Sequence, residues 1–127
     1  MQMTIPTVYE SWIGGYVGPS YKATLQGNLL VYEVFDQGYV LHSRDELVPS
    51  PAQWRVFLRQ IEEVGFWNWA SEYGTPPETE DSDETTWSVA LRLGFRELSA
   101  RGCGEYAPRF VEYLRAVRGL LEGRQFA

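Results

Sequence analysis

The sequence predicts an α+β fold in which an antiparallel sheet of about six strands carries two helices on one face. Three observations support this class. The first 48 residues alternate β-rich segments with glycine turns, two later segments repeat apolar residues at helical spacing, and a hairpin pattern lies between them. The expected order is therefore β-β-β-β-α-β-β-α, and runs of strands interrupted by single helices are typical of α+β proteins. No pattern indicates a parallel crossover.

The first four predicted strands are joined by short turns. Residues 7–13 are rich in β-branched and aromatic side chains, and residues 21–25 alternate apolar with polar positions, as half-buried strands do. Residues 29–35 are apolar on both faces except at Glu33, which is typical of a central strand, and residues 39–43 follow an Asp-Gln-Gly turn. Because the connections have only two to six residues, we expect an antiparallel meander.

The first helix has the clearest boundaries. Ser50 is a natural N-cap, Pro51 fits the first helical position, and Gln53 completes a capping box. Gly65 provides the C-terminal stop. One face then carries the apolar residues Trp54, Phe57, Leu58, Ile61 and Val64.

The second half of the chain predicts a hairpin followed by a helix. Residues 86–93 and 95–100 form the strands around Gly94, Pro108 opens the helix, and Gly123 ends it. The inward face of this helix is expected to hold Phe110, Val111, Leu114, Val117 and Leu121. The predicted core includes Trp54, Phe57, Leu58, Ile61, Trp87, Val89, Leu91, Leu114 and Val117.

Length and composition limit the possible classes of protein. A chain of 127 residues without repeats or a long linker is expected to form one domain, residues 1–127. No apolar stretch is long enough to span a membrane and no secretory leader is evident, so we expect a soluble cytoplasmic protein. The net charge of -6 argues against nucleic acid as a partner. Neither nucleotide-binding glycine motif occurs, and no cofactor is expected.

Cys103 and His42 are the one cysteine and the one histidine of the chain. With one residue of each type, the chain cannot form an intrachain disulfide, nor can it supply the about four Cys or His ligands of a zinc site. A nucleophile–base pair is conceivable, but no feature of the sequence brings these two residues together. We therefore interpret them as a buried thiol and a surface histidine, and expect no catalytic residue.

An acidic segment, residues 78–84, holds five carboxylates: Glu78, Glu80, Asp81, Asp83 and Glu84. A calcium loop needs oxygen ligands at fixed offsets around a central glycine, and this segment has no glycine. We expect a solvated loop without a metal, whose negative charge would attract a basic partner.

An aromatic run that includes Trp67, Trp69 and Tyr73 precedes the acidic segment. In an extended conformation both tryptophans would point to the same side and could form a stacking platform or a protein-binding hot spot. The interpretation we prefer is a hydrophobic seal between the first helix and the sheet. Four arginines form a basic patch on the second hairpin and the following helix: Arg92, Arg96, Arg101 and Arg109. We expect them to pair with the acidic segment, and the alternative is that they bind an anion.

From about residue 50 to residue 123 the chain resembles a family of small uncharacterised bacterial α+β domains. The likeness rests on the tryptophan-bearing helix, the run of residues 64–69, Tyr73, the segment Thr86 to Val89, and Pro108 to Phe110. Where the pattern has an Asp-Gly turn before the tryptophan strand, this chain has Asp83, Glu84 and Thr85. The resemblance implies no activity.

Two functional hypotheses follow. The first is a small acidic protein-interaction module, similar in character to immunity or accessory proteins, which binds a basic protein partner. Its expected binding residues are Glu80, Asp81, Asp83, Trp67, Trp69 and Tyr73. The alternative is a small-molecule-binding or hydrolytic domain with a cleft near Trp67 and Trp69. An interaction module should show an exposed patch, whereas an enzyme should show a pocket with converging polar groups.

Overall fold

The computed structural model describes residues 5–76, 79 and 83–127. Within these residues the chain forms seven strands and two α-helices, which confirms the α+β class. In chain order these elements are β1 (Val8–Gly14), β2 (Ser20–Gln26), β3 (Leu29–Asp36), β4 (Val40–Leu47), α1 (Pro51–Glu63), β5 (Glu72–Gly74), β6 (Thr86–Leu93), β7 (Arg96–Cys103) and α2 (Phe110–Leu120).

All described strands belong to one sheet with the order β4-β3-β2-β1-β6-β7-β5. The first four strands form the expected antiparallel meander, and the hairpin of β6 and β7 joins it through β1. The prediction of about six antiparallel strands was wrong at one edge, where β5 pairs with β7 in parallel. Strand β5 has three residues, too few to show a period of two in the sequence.

Helix α1 begins as its sequence predicts. The Ser50 side chain accepts a hydrogen bond from the backbone N–H of Gln53, while the Gln53 side chain accepts one from the backbone N–H of Ser50. These reciprocal bonds satisfy two amide donors that the first helical turn cannot pair internally. After the helix, Gly65 adopts a left-handed conformation and turns the chain into a short 3-10 helix, Phe66–Asn68.

Helix α2 differs from the prediction in its start and in its buried face. It begins at Phe110, because Arg109 has a left-handed conformation with φ 58°. The predicted inward residue Val111 is 63% exposed, and Leu114 is only partly buried. Tyr113 and Leu120 are buried in their place. Apolarity alone predicts that Leu114 is buried rather than Tyr113. In the structure the Tyr113 hydroxyl forms hydrogen bonds with the hydroxyls of Tyr9 and Ser11 inside the core, and these bonds offset the cost of burying it.

Both helices pack on the same face of the sheet. The Tyr9 ring of β1 contacts Trp54 and Phe57 of α1, with ring centroids 6.1 and 5.3 Å apart. The Trp87 ring of β6 lies 4.7 Å from Phe110 of α2. Seven of the nine predicted core residues are buried; Leu58 and Leu114 pack against the core but are partly buried.

The opposite face of the sheet, which we call the open face, carries neither helix. The strand registers place Trp12, Lys22 and Ser88 side by side on it, in β1, β2 and β6. Arg101 and Cys103 of β7 share this face with Ser88 and Thr86. Among the described residues, no helix is long and apolar enough to cross a membrane.

Candidate functional site

A hollow of about 240 Å³ lies on the open face, next to the acidic segment. Pro76, which precedes the segment in the chain, and Thr86, which follows it, both line this hollow. The fold therefore brings residues from before and after the acidic segment to one place. Other lining residues are Trp12, Tyr73, Trp87, Arg101 and Cys103.

Three of the five acidic residues, Glu78, Glu80 and Asp81, lie outside the described residues. Asp83 and Glu84 are described, and both are exposed. A Cβ atom added to Gly15 would lie 2.7 Å from the carbonyl oxygen of Glu84, so the backbone of the β1–β2 loop lies against the end of the acidic segment. Asp83, Val17 and Tyr106 also line a second hollow of about 410 Å³.

Cys103 and His42 are not brought together. Cys103 lies in β7, and its thiol donates a hydrogen bond of 2.8 Å to a carboxylate oxygen of Glu84. This bond, together with burial and the charge of Glu84, raises the pKa of Cys103. His42 lies in β4, which forms the opposite edge of the sheet, and its Nδ1 is 3.1 Å from a carboxylate oxygen of Asp36. This arrangement offers the thiol no histidine, and the charge of Glu84 disfavours the thiolate.

Trp69 lies in the hydrophobic core and is 6% exposed. Its ring contacts Trp87 and Tyr113 at centroid distances of 5.9 and 5.3 Å, so it seals the 3-10 turn against the sheet and α2. Its Nε1–H has no hydrogen-bond partner among the described residues. The interpretation of this segment as a hydrophobic seal is supported at Trp69, whose ring offers no surface to a partner.

Trp67 does not point to the same side as Trp69, since the 3-10 helix replaces the extended conformation on which that expectation rested. Trp67 is half-buried against Phe66, and the Arg96 guanidinium lies 4.3 Å from its ring centroid. Tyr73 is half-buried, contacts Trp87 at 5.7 Å and lines the hollow. Of the three predicted aromatic residues, Tyr73 alone lies in the hollow.

The four arginines of the second half pair with carboxylates elsewhere in the fold. Arg92 pairs with Glu97, Arg96 with Glu62, and Arg101 with Glu72, at distances of 2.6–3.2 Å. Arg109 lies 3.9 Å from Glu112 and donates a hydrogen bond to the backbone carbonyl of Glu63. Among the described residues, these partners come from neighbouring strands and helices. The expected pairing with the acidic segment stays a prediction, because three of the five acidic residues of the segment lie outside the described residues.

The sequence analysis missed an aromatic patch on the open face. We define the aromatic patch as Trp12, Tyr16, Phe35 and Tyr39. Trp12 lies 5.7 Å from Phe35 and 6.0 Å from Tyr39, and Tyr39 lies 6.1 Å from Tyr16, all between ring centroids. The alternation of buried and less buried residues along β1 could have revealed Trp12, because its side chain points to the face opposite the core residues of that strand. The positions of Tyr16 and Tyr39 in turns gave no such indication.

Tyr39 has a left-handed backbone conformation with φ 61°. A bulky residue in this region carries strain on the order of 1 kcal/mol or more. The preceding Gly38 also has a positive φ and donates a backbone hydrogen bond of 2.7 Å to Tyr16. The turn therefore brings the Tyr39 ring onto Trp12 and Tyr16 in spite of the strain at its own backbone.

Among the described residues, no group of three or more metal-ligating side chains comes together. A scan against models of protein families, a search of curated proteins and a search of solved structures each found no match. The proposals below therefore depend on the geometry and the charge of the chain itself.

Proposed function

We propose that this protein is an interaction module that binds a basic protein partner through the acidic segment and the aromatic side chains beside it. The observation that carries the proposal is the hollow, whose lining includes Pro76 before the acidic segment and Thr86 after it. Negative charge attracts and orients a basic partner during encounter, but exposed charge alone gives weak affinity. The hollow supplies the apolar contact that charge lacks, through the rings of Trp12 and Tyr73.

The distribution of charge favours this partner class. Residues 51–84 carry eight acidic and two basic side chains, a net charge of -6, whereas residues 85–127 carry four acidic and seven basic side chains, a net charge of +3. Among the described residues, five of those basic side chains pair with carboxylates outside the acidic segment. We propose that the negative charge of the segment attracts a partner, in a role of the immunity or accessory type. A cytoplasmic location is part of the same proposal.

A catalytic role has less support. The hollow on the open face, of about 240 Å³, is smaller than the 300–1,000 Å³ typical of ligand pockets, whereas the second hollow, of about 410 Å³, falls within that range. Trp67 and Trp69 line neither hollow. Cys103 contributes a thiol whose pKa is raised, the opposite of what a nucleophile needs. The alternative hypothesis of a small-molecule site therefore applies to the hollow beside Trp12 and Tyr73 rather than to Trp67 and Trp69. We propose no reaction for it.

The test uses a displayed library of random short peptides, selected against the wild-type protein. The matched control is the variant Glu80→Gln/Asp81→Asn/Asp83→Asn, which keeps the shape of three side chains and removes their charge. We expect the wild type to enrich peptides rich in Arg and Lys, and the variant to enrich them much less. Equal enrichment of basic peptides by both proteins, or enrichment of neutral peptides, would contradict the proposal.

A further inference from the structure

The second hollow lies between the β1–β2 loop and the end of the acidic segment. Its volume of about 410 Å³ falls within the range typical of ligand pockets. Val17 and Pro19 line it from the loop, Asp83 lines it from the acidic segment, and Tyr106 lines it from the connection before α2. The fold thus forms a concave site from three parts of the chain that are distant in the sequence.

The two residues that follow Asp83 hold its backbone beside this hollow. The Glu84 carboxylate accepts the hydrogen bond from the Cys103 thiol, and the Thr85 carbonyl accepts one of 3.1 Å from the backbone N–H of Gly104. Both bonds tie this part of the chain to the end of β7. A group whose backbone is held in place before binding loses less conformational entropy when a ligand arrives.

The charge of the hollow is negative. Among the described residues that line it, Asp83 has the one charged side chain. Its carboxylate has no hydrogen-bond or ion-pair partner in the described part of the chain. The hollow is therefore complementary in charge to a cationic group of a ligand.

The cations on the elements around the hollow point away or are bound elsewhere. Lys22 follows the lining residue Tyr21 in β2, so its side chain points to the opposite face of the sheet. Arg124 pairs with Asp45 at 3.2 Å. Arg118 donates a hydrogen bond to a backbone carbonyl of the segment that follows α2.

The aromatic wall of the hollow favours arginine over lysine. Tyr106 is 46% exposed, and its ring packs against Phe110 with the ring centroids 5.2 Å apart. A guanidinium is planar, can bond a carboxylate through two N–H groups and stacks on aromatic rings, whereas an ammonium is a more strongly hydrated point charge. Val17, which is 55% exposed, offers aliphatic contact to the stem of the side chain.

We infer that the second hollow binds an arginine side chain of the basic partner. The guanidinium lies against the Asp83 carboxylate, and the aliphatic stem lies between Val17 and Tyr106. The inference rests on the proposed function and names the residue type by which the partner is anchored. The hollow on the open face then contacts a different, apolar side chain of the same partner.

The experiment is an NMR titration of the wild-type protein with the capped tripeptide acetyl-Gly-Arg-Gly-amide. The control peptide has citrulline in place of arginine, which keeps the shape of the side chain and removes its charge. We expect the arginine peptide to shift the backbone amide signals of Val17, Asp83 and Tyr106 in a saturable way. The citrulline peptide should bind about fivefold more weakly or worse, and a lysine peptide should also bind more weakly than the arginine peptide.

Two protein variants separate Asp83 from the rest of the acidic segment. Asp83→Asn should weaken binding of the arginine peptide about fivefold or more. The matched control Glu80→Gln/Asp81→Asn removes two charges of the same segment and should weaken it less than about twofold, because salt screens charges that do not touch the ligand. Neither variant should change the midpoint of thermal unfolding.

Equal binding of the arginine and citrulline peptides, or an equal loss in the two variants, would overturn the inference. Binding of the lysine peptide as tight as that of the arginine peptide would also overturn it, as would shifts confined to residues outside the hollow. The proposed function depends on another result, the enrichment of basic peptides in the library selection, so the two can fail independently. Arginine binding in the hollow without that enrichment would reject the proposed function and keep the site.

Discussion

The thiol of Cys103 donates a 2.8 Å hydrogen bond to the Glu84 carboxylate and so fastens the end of the acidic segment to strand β7. The bond keeps the thiol protonated, because a thiolate would face the negative charge of Glu84 and lose the hydrogen bond. Both residues sit where strand β6 begins and β7 ends, since Cys103 pairs with Thr86. Cys103 therefore holds Glu84, the last residue of the acidic segment, beside the hollow that the cysteine lines.

Alkylation of Cys103 tests this role. We expect slow reaction with iodoacetamide at mildly alkaline pH, because the thiolate is the reactive form and the raised pKa makes it scarce. Glu84→Gln should accelerate the reaction by removing the repelling charge. A wild-type rate equal to that of an unfolded control, with no change in Glu84→Gln, would show that the bond does not suppress the thiolate.

Substitutions on the helices should distinguish their buried positions from an exposed one. Ile61→Ala and Leu120→Ala remove fully buried side chains and should each lower the free energy of unfolding by about 2–5 kcal/mol. Val111→Ala, at an exposed position of α2, should change it by less than about 0.5 kcal/mol. Denaturant unfolding measures all three. A larger cost at Val111 than at Leu120 would mean that the helix presents the face predicted from the sequence.

Stability should fall in alkaline solution because of the buried tyrosines. Tyr9 and Tyr113 share a hydrogen bond of 3.0 Å, and burial raises the pKa of Tyr113 to about 12. The folded state therefore holds a proton that the unfolded chain releases near pH 10. The free energy of unfolding should be steady below about pH 10 and fall by about 2–3 kcal/mol toward pH 12 through Tyr113. Burial also raises the pKa of Tyr9, which should act in the same direction.

Tyr113→Phe provides the control for this titration. It removes the hydroxyl that bonds to Tyr9 and Ser11, so the variant should be less stable at neutral pH. It should also lose less stability than the wild type between about pH 10 and 12, since one titrating group is gone. If the free energies of unfolding of the two proteins fell in parallel over this pH range, the raised pKa of Tyr113 would be contradicted.

Local chemistry explains which parts of the fold the sequence could predict. Helix α1 was predicted to its first residue because Ser50, Pro51 and Gln53 determine the cap within four positions. The meander followed from alternation and glycine turns in the same way. Strand β5 depends on pairing between Glu72 and Arg101, which are distant in the sequence, and a three-residue strand leaves no local pattern.

The candidate site was harder to predict because it depends on which face each residue occupies. The sequence located the acidic segment and the nearby Tyr73, but it could not show that Trp69 is buried or that Trp67 turns away in a 3-10 helix. Tyr39 belongs to the patch through an unusual backbone conformation, which no propensity rule assigns to tyrosine. Only the folded sheet brings Tyr39 and Trp12 together on the open face.

The most direct test of the central claim is the association rate of a selected basic peptide, measured by stopped flow over increasing salt concentration. We expect the wild type to bind faster at low salt than Glu80→Gln/Asp81→Asn/Asp83→Asn, and the two rates to converge as salt screens the segment. The free energies of unfolding should remain similar. Equal rates at low salt would contradict the claim that the acidic segment recruits a basic partner.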